Sequence, residues 1–386
     1  MISVKHFDGN PILKPNSKNE WEEEASFNGC VIKDGDMYRM LYRAQGKPKD
    51  YFGGVHLSLS TIGYAESTNG YSFSQRRQLL IPEFDFEKFG LEDPRVTKFE
   101  DVYYIFYTGL SQFPFNADGI KIAVAITRDF KTIEKHPVTP FNAKAMALFP
   151  QRINGKIAAL LTINTDRPPA KICLALFDTI SEIWSPEYWS QWYQNLDKHV
   201  VNLQRGDKDH IELGAPPILT ENGWLVIYSY IKNYLSDYKS FGIEAVFLSE
   251  NDPQTIIGRT NTPLLVPEKD YELEGLVPNV IFPSGALLRG DDLIIYYGAA
   301  DTTVAAAKLC LSDLVNETIE HQNIVPKTYS KSGFKLTRND KNPILVPLPY
   351  HPWESQATFN AASLYGNGTT HILYRAMGND QTSVVG

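Results

Sequence analysis

The sequence has little cysteine, no long apolar run, no block of a single charge and almost no helical periodicity. Its three cysteines, Cys30, Cys173 and Cys310, lie far apart and none belongs to a Cys-x-x-Cys pair. This excludes a disulfide framework and a cysteine-based zinc site, and reads as reduced packing residues. The histidines are scattered, and even His199 and His210 lack helical ligand spacing. No bound metal is expected. No stretch approaches 18 uncharged apolar residues, and Met1 to Asn10 contains no apolar segment. Neither a membrane span nor a secretion signal is expected, which points to a cytoplasmic protein. Lys+Arg number 37 against 45 Asp+Glu, a net charge of −8 with no basic cluster. Nucleic acid and anionic membranes are therefore not expected as partners.

What is present is aromatic and strand-like. Tyrosine and phenylalanine concentrate in short alternating runs separated by Gly, Asp, Asn and Pro, the signature of strands and turns. The runs come in pairs: 37–43 with 62–70, 102–108 with 122–129, 156–161 with 172–178, 224–228 with 243–249, and 293–297 with 307–313. Five such units predict an all-β, five-bladed β-propeller whose first strands line a central channel, with a β-sandwich as the competing fold. A second pattern overlies the first. Asn10-Pro-Ile-Leu13, Trp21-Glu22, Phe27-Asn28 and Leu41-Tyr-Arg-Ala44 recur at Asn342, Trp353, Phe359 and Leu373, each 332 residues on. Residues 1–332 are thus expected to form the propeller. Residues 333–386 are expected to be the truncated start of a second copy, from a tandem protein or a gene-fragment boundary, and a place where copies of the chain associate.

One stretch carries an adjacent acid pair, Gly90-Leu-Glu-Asp-Pro-Arg95. Pro94 disfavours helix at Asp93 and so holds a carboxylate at the entrance to a strand. Such a group serves as a general acid if burial raises its pKa. An acidic turn capping a strand is the plainer reading of the same residues.

Together with Leu148-Phe-Pro150, Ile153-Asn-Gly155, Gly214-Ala-Pro-Pro217, Gly223-Trp224, Glu272-Leu-Glu-Gly275, Val277-Pro-Asn-Val280 and Tyr296-Tyr-Gly-Ala-Ala-Asp301, these motifs resemble glycoside hydrolase family 130. The resemblance runs from residue 8 to about 315 and restarts near the C-terminus. It implies a five-bladed propeller acting with inversion on β-mannosides, with Asp93 as proton donor working through a sugar hydroxyl. It also implies that Asn28, Arg43, Asp301 and Glu272 hold the sugar. An amide, a guanidinium and a carboxylate suit adjacent hydroxyls.

The family divides into phosphorylases and hydrolases, and the basic residues of the phosphorylases are replaced here. Leu161-Thr162 stands for His-Arg, His210 for a lysine and Ser229 for a histidine, while Glu212 replaces a glycine. The expectation drawn from these losses is an exo-acting inverting hydrolase of short β-1,2- or β-1,4-mannosides. Glu212 would be its general base, the carboxyls lying about 6.5 to 9.5 Å apart, and Glu274 a second acidic candidate. Lys144, Arg152 and His210 would form the phosphate site of the alternative, a phosphorylase making mannose 1-phosphate. A non-catalytic carbohydrate-binding propeller and a furanosidase complete the alternatives. No cofactor is required by any of them, phosphate being a co-substrate only for the phosphorylase. Trp224, Tyr228 and Tyr230 read as packing residues.

Overall fold

The structure, a computed structural model, describes residues 2–51, 54–320, 340–366 and 368–386. The chain divides into two compact units, Met1–Ile324 and Val325–Gly386.

Among the described residues the first unit has five antiparallel sheets of three to five strands, taken in chain order, and a two-stranded ribbon of Lys49–Tyr51 and Val55–Leu57. Sheet 1 comprises Ala25–Asp34, Met37–Gln45, Ser60–Ser67 and Ser74–Leu80, and sheet 2 Leu91–Phe99, Val102–Leu110, Ile120–Thr127 and Glu134–Pro137. Sheet 3 has three strands, Ala143–Leu148, Ile157–Ile163 and Lys171–Phe177. Sheet 4 starts with a broken strand, His210–Leu213 and Ile218–Thr220, and continues with Gly223–Lys232, Ser240–Leu248 and Ile256–Arg259. Sheet 5 joins Ile281–Arg289, Asp292–Ala299 and Thr303–Cys310 to the N-terminal strand Lys5–His6.

The strand pairs expected from the sequence are the second and third strands of these sheets. The first strand of each, which begins the site described below, was not recognised, because small, charged and proline residues interrupt its apolar pattern, as in Leu91–Phe99. Contacts between sheets run from the first strand of sheet 1 to that of sheet 2, onward through sheets 3 and 4, and back through sheet 5 to sheet 1. Each junction has its own apolar cluster. Met40 and Tyr42 meet Tyr296 and Val304 between sheets 1 and 5, and Leu41 and Ile62 meet Val96 and Ile105 between sheets 1 and 2. Phe106 and Val124 meet Leu148 and Leu161, Leu160 and Leu174 meet Val226 and Tyr228, and Ile227 and Phe247 meet Ile281 and Ile295. A sheet covered on both faces needs apolar side chains at every position, so Ile157–Ile163 is buried throughout. Trp224, Tyr228 and Tyr230 lie in this core.

Helix is scarce, as expected, but sheet 3 depends on one. Ser185 caps and Pro186 opens the helix Pro186–Gln194, whose Trp189 and Trp192 are buried against sheet 3. The chain then returns along the third strand of that sheet, where Leu174 N–H donates to His199 O and Val201 N–H to Ile172 O. Cys30 and Cys173 are buried as expected, whereas Cys310 is exposed at the end of its strand; all three are free.

A buried Glu–Tyr pair recurs at the sixth residue of the second strand. Tyr42 Oη donates to Glu22 at 2.7 Å, Tyr107 to Glu87 at 2.5 Å, Tyr228 to Glu244 at 2.9 Å and Tyr297 to Glu272 at 2.7 Å. All four carboxylates are 0% exposed. Glu272 also accepts from the backbone N–H of Glu268 and Lys269 and lies 3.2 Å from His6 Nε2. Its expected role in holding sugar is therefore corrected: every oxygen is engaged in tying a loop to sheet 5.

In the second unit, Ala357–Gly366, Thr369–Met377 and Ser383–Val385 form a three-stranded sheet. Its local geometry parallels sheet 1 at the 332-residue offset. Tyr374 Oη donates to Glu354 at 2.6 Å, and Arg375 lies over Phe359 at 4.9 Å as Arg43 lies over Phe27 at 4.8 Å. Leu373 is 54% exposed where Leu41 is fully buried. The expected boundary at 332/333 lies outside the described residues.

The buried pair in sheet 2 gives a direct test of this framework. Lys135 Nζ, on a side chain only 3% exposed, lies 2.8 Å from Glu87 Oε1. Lys135→Met strands a buried carboxylate and should lower unfolding free energy in urea by about 3 to 5 kcal/mol. Tyr107→Phe removes one hydrogen bond and should cost about 1 to 3 kcal/mol. The reverse order would mean that Glu87 depends more on the hydroxyl than on the ammonium.

Candidate active site

The site is assembled at one end of the first unit, where first strands begin and second strands finish. Each first strand carries one irregularity there. In sheets 1, 2 and 3 the register slips between Phe27 and Cys30, Glu92 and Arg95, and Lys144 and Ala147, so two residues oppose one. A slip of this kind inserts one residue and re-aims a side chain. The inserted positions include Asn28, Asp93 and Ala145, with φ of 50°, 52° and 49°. Asn and Asp tolerate this left-handed conformation better than most residues. In sheet 5 the first strand slips between Pro283 and Gly285, and the left-handed residues at this end are Ala300 and Asp301, in the turn after the second strand, with φ of 47° and 49°. Val277 N–H donates to Ala300 O and Leu276 N–H to Thr302 Oγ1, fixing that turn.

Asn28 Nδ2 donates to Asp93 Oδ1 at 2.7 Å. Arg43 Nη2 lies 2.5 Å from Glu92 Oε1 and Arg43 Nη1 3.8 Å from Asp93 Oδ1, with Arg43 Nε on Ser60 Oγ at 3.0 Å. Gly298 is required beside them, since a β-carbon there would collide with Asn28 Oδ1. Arg95 is 1% exposed. It donates to Asp93 O at 2.6 Å, Gly214 O at 3.0 Å and Leu213 O at 3.4 Å. From sheet 3, Lys144 Nζ lies 3.4 Å from Asp166 Oδ1, and Asp166 also accepts from Asn142 at 2.9 Å. From sheet 4, Glu212 Oε1 lies 3.0 Å from His210 Nε2.

The sequence-expected residues Asn28, Arg43, Asp93, Lys144, His210, Glu212 and Asp301 thus stand at the same end of their sheets. Glu272 does not join them. Arg152 is corrected too: it pairs with Glu100 at 2.9 Å, in the hairpin at the far end of sheet 2. Glu274 is exposed on the segment preceding the first strand of sheet 5. Glu92, Arg95 and Asp166 were missed. Glu92 and Arg95 flank Asp93 in the same motif, and their charge next to a candidate acid was the available signal. Asp166 had none, being one acid in a loop.

Charge is distributed unevenly. Burial would raise the Asp93 carboxyl, but Arg43, Arg95 and the Asn28 amide outweigh it and hold it below the usual range. The condition set for a general acid, a carboxyl raised by burial, is therefore not met by Asp93 in the free protein. Burial raises Glu92, opposed by Arg43 and reinforced by Asp93. Burial also pushes Asp301 up to about 6, against the pull of Arg43. Burial would depress Lys144, but Asp166, Glu92, Glu212 and Asp93 outweigh it and hold its ammonium charged. Among the described residues no cluster of His, Cys, Asp or Glu is disposed to hold a metal ion.

Asp301 links this arrangement to stability. Its carboxyl, raised from 3.8 to about 6, favours the folded state fully below pH 4, an advantage lost as pH rises through 6. Asp301→Asn should therefore raise the melting temperature relative to wild type at pH 8, by the equivalent of about 1 to 3 kcal/mol, and leave it unchanged near pH 4. Equal effects at both pH values would show that Asp301 is not held in a buried, strained ionisation state.

Residues 8–320 match a family model described as β-1,4-mannooligosaccharide phosphorylase. The chain is 32% identical over 320 residues to a 1,2-β-oligomannan phosphorylase of Thermoanaerobacter sp. (strain X514), covering 81% of this chain and 99% of the relative. A β-1,2-mannobiose phosphorylase of the same organism is 32% identical over 321 residues, covering 80% of this chain and 97% of the relative. Among solved structures, the β-1,2-mannobiose phosphorylase of Listeria innocua in complex with β-1,2-mannobiose superposes with a TM-score of 0.67 at 26% identity, covering 82% of this chain and 99% of that one. These findings overturn the expectation of a hydrolase, and with it the role of Glu212 as a base for water. Loss of basic residues at single positions does not empty the site of cationic charge, which Arg43, Arg95 and Lys144 supply. The chain belongs to glycoside hydrolase family 130.

Proposed function

We propose that the protein is a β-mannoside phosphorylase acting from the non-reducing end of short β-1,2-mannosides, on a five-bladed β-propeller, with inversion. The observation that carries this reading is identity sustained over 99% of the length of a 1,2-β-oligomannan phosphorylase. Lys144 makes it chemically workable, as a cation held charged beside the carboxylates.

In the reaction a phosphate oxygen forms a bond to the anomeric carbon as the glycosidic C–O bond breaks. The bonding pair leaves with the departing sugar oxygen, which takes up a proton originating on Asp93 and passed through a hydroxyl of the bound mannose. Asn28, Arg43 and Asp301 hold that mannose. Free Asp93 is kept ionised chiefly by Arg43 and Arg95, with Lys144 contributing. A phosphate dianion placed near Lys144 offsets part of that cationic field and lifts the affinity of Asp93 for a proton. Arrival of the nucleophile thereby helps to arm the acid.

Residues 333–386 we read as the opening of a second copy of the module, supported by the shared Glu–Tyr pair and Arg–Phe stacking. Its exposed Leu364 and Leu373 are where copies of the chain associate. Leu364→Lys with Leu373→Lys should lower the mass-average size in light scattering, and an unchanged size would dispose of that role.

The activity is tested by product analysis on β-1,2- and β-1,4-mannobiose, with and without about 10 mM phosphate, well above a typical KM. Mannose and mannose 1-phosphate should form together from the β-1,2 substrate, and only with phosphate. Mannose released equally without phosphate would overturn the reading. Lys144→Met should raise KM for phosphate about 10- to 100-fold, and Asp93→Asn should lower kcat by about 10²- to 10⁴-fold.

A further inference from the structure

Among the described residues Lys144 is hydrogen-bonded to Asp166 alone. Asp166 is itself firmly held. Its Oδ2 accepts from Asn142 Nδ2 at 2.9 Å and from Thr165 Oγ1 at 2.8 Å, and its backbone N–H donates to Asn142 Oδ1 at 3.0 Å. Asn142 and Thr165 are both buried. Asn142 Nδ2 also approaches Ala117 O and Ile120 O at 3.3 Å, and Arg167 pairs with Asp118, so the loop after the second strand of sheet 3 is fastened to sheet 2. The remaining oxygen, Oδ1, is left to Lys144 at 3.4 Å. This carboxylate is oriented by the fold and not by the lysine.

Glu92, Glu212 and Asp93 act on the same ammonium by charge, yet among the described residues none of them pairs with it. Glu92 and Asp93 belong to the motif that carries the acid. A lysine stem is long and flexible, so a fixed anion decides where its ammonium settles. Without Asp166, the carboxylates left to draw it are Glu92 and Asp93 on the first strand of sheet 2 and Glu212 on that of sheet 4. An ammonium drawn onto Asp93 is lost to the nucleophile and holds the acid ionised.

We propose that Asp166, clamped by Asn142 and Thr165, is the positioning residue that keeps Lys144 on the phosphate and away from the Glu92–Asp93 pair. The role deepens the phosphorolytic reading above and rests on it. An ammonium has three N–H donors, and with one directed at Asp166 two remain for phosphate oxygens. Thr162, directly across from Lys144, cannot substitute, because its Oγ1 accepts from Leu213 N–H and a hydroxyl offers the ammonium no charge. A carboxylate here also repels a phosphate dianion. The Asp166 side chain is 28% exposed, so water screens that repulsion, whereas its contact with Lys144 is direct.

The test is phosphate affinity, by calorimetric titration of the full chain with inorganic phosphate and by KM, for wild type, Asp166→Ala, Asp166→Asn, Lys144→Met and the double variant of Asp166→Ala with Lys144→Met. Asp166→Ala and Asp166→Asn should each weaken phosphate about tenfold, the equivalent of one charge-assisted hydrogen bond. KM for β-1,2-mannobiose should stay as in wild type. Asp166→Asn keeps the shape of the side chain, so a matching loss in both variants assigns the effect to the charge. In the Lys144→Met background Asp166→Ala should have no further effect, since Asp166 acts through the ammonium. Tighter phosphate binding by Asp166→Asn would overturn the proposal, by showing that Asp166 only repels the dianion. Unchanged affinity in both single variants, additive losses in the double variant, or an equal loss of affinity for the mannoside would overturn it too, while leaving a phosphorylase. Failure of wild type to form mannose 1-phosphate would overturn it together with the reading beneath it.

Discussion

Arg95 is the interaction on which the site depends. Its guanidinium is buried, and it donates to the carbonyl of Asp93 in sheet 2 and to those of Leu213 and Gly214 in sheet 4. A charge this deep is tolerated because carbonyl dipoles surround it and Asp93 and Glu212 lie within its field. The same contacts hold the left-handed residue Asp93 in place and pin the broken strand that carries Glu212. One side chain thus sets the spacing between the acid and the opposite wall. Arg43 performs the complementary task from sheet 1, gripping Glu92 and approaching Asp93 from the other side.

Three cations and five carboxyls in so small a volume form a site that cannot be fully ionised. The structure resolves the conflict by sorting the carboxyls. Asp93 and Asp166 are held charged by Arg43 and Lys144, and Glu92 and Asp301 are pushed toward neutrality by burial. Charge balance here belongs to the whole cluster. That is why counting basic residues at three positions pointed toward water as nucleophile, while the relatives that share this chain's length are phosphorylases. Thr162, His210 and Ser229 are indeed neutral or weakly basic, yet Lys144 and the two arginines lie outside that count.

Much of the fold was legible because a sheet buried on both faces writes itself as a continuous apolar run, and the second and third strands do so. The first strands were not legible by that rule. They bulge, and their left-handed Asn28 and Asp93 interrupt the pattern. The motif Gly90 to Arg95 nevertheless led to the site, because a proline after two acids is unusual in a strand. Glu272 misled for an instructive reason. A conspicuous acid beside a glycine looks the same in sequence whether it faces a ligand or caps a loop, and only its partner Tyr297, 25 residues later, distinguishes the two. The recurrence of that pairing at Glu22–Tyr42 and Glu87–Tyr107 could have been found by aligning the units on their second strands. The helix Pro186–Gln194 was legible in principle, since Trp189 and Trp192 stand three apart on one helical face.

The N-terminal strand has a consequence for how the protein is made. Lys5–His6 pairs with Thr303–Cys310, and Asn10 bonds Ala306 through both ends of its amide. Lys5 and His6 therefore leave the ribosome some 300 positions ahead of the partners they pair with. At translation rates of about 5 to 20 residues per second that delay is about 15 to 60 s. Sheets 1 to 4 can form meanwhile, but the apolar faces between sheets 5 and 1 stay wet until synthesis reaches Cys310. The last sheet closes as a clasp, and chaperones or a neighbouring nascent chain have that interval in which to engage the open seam.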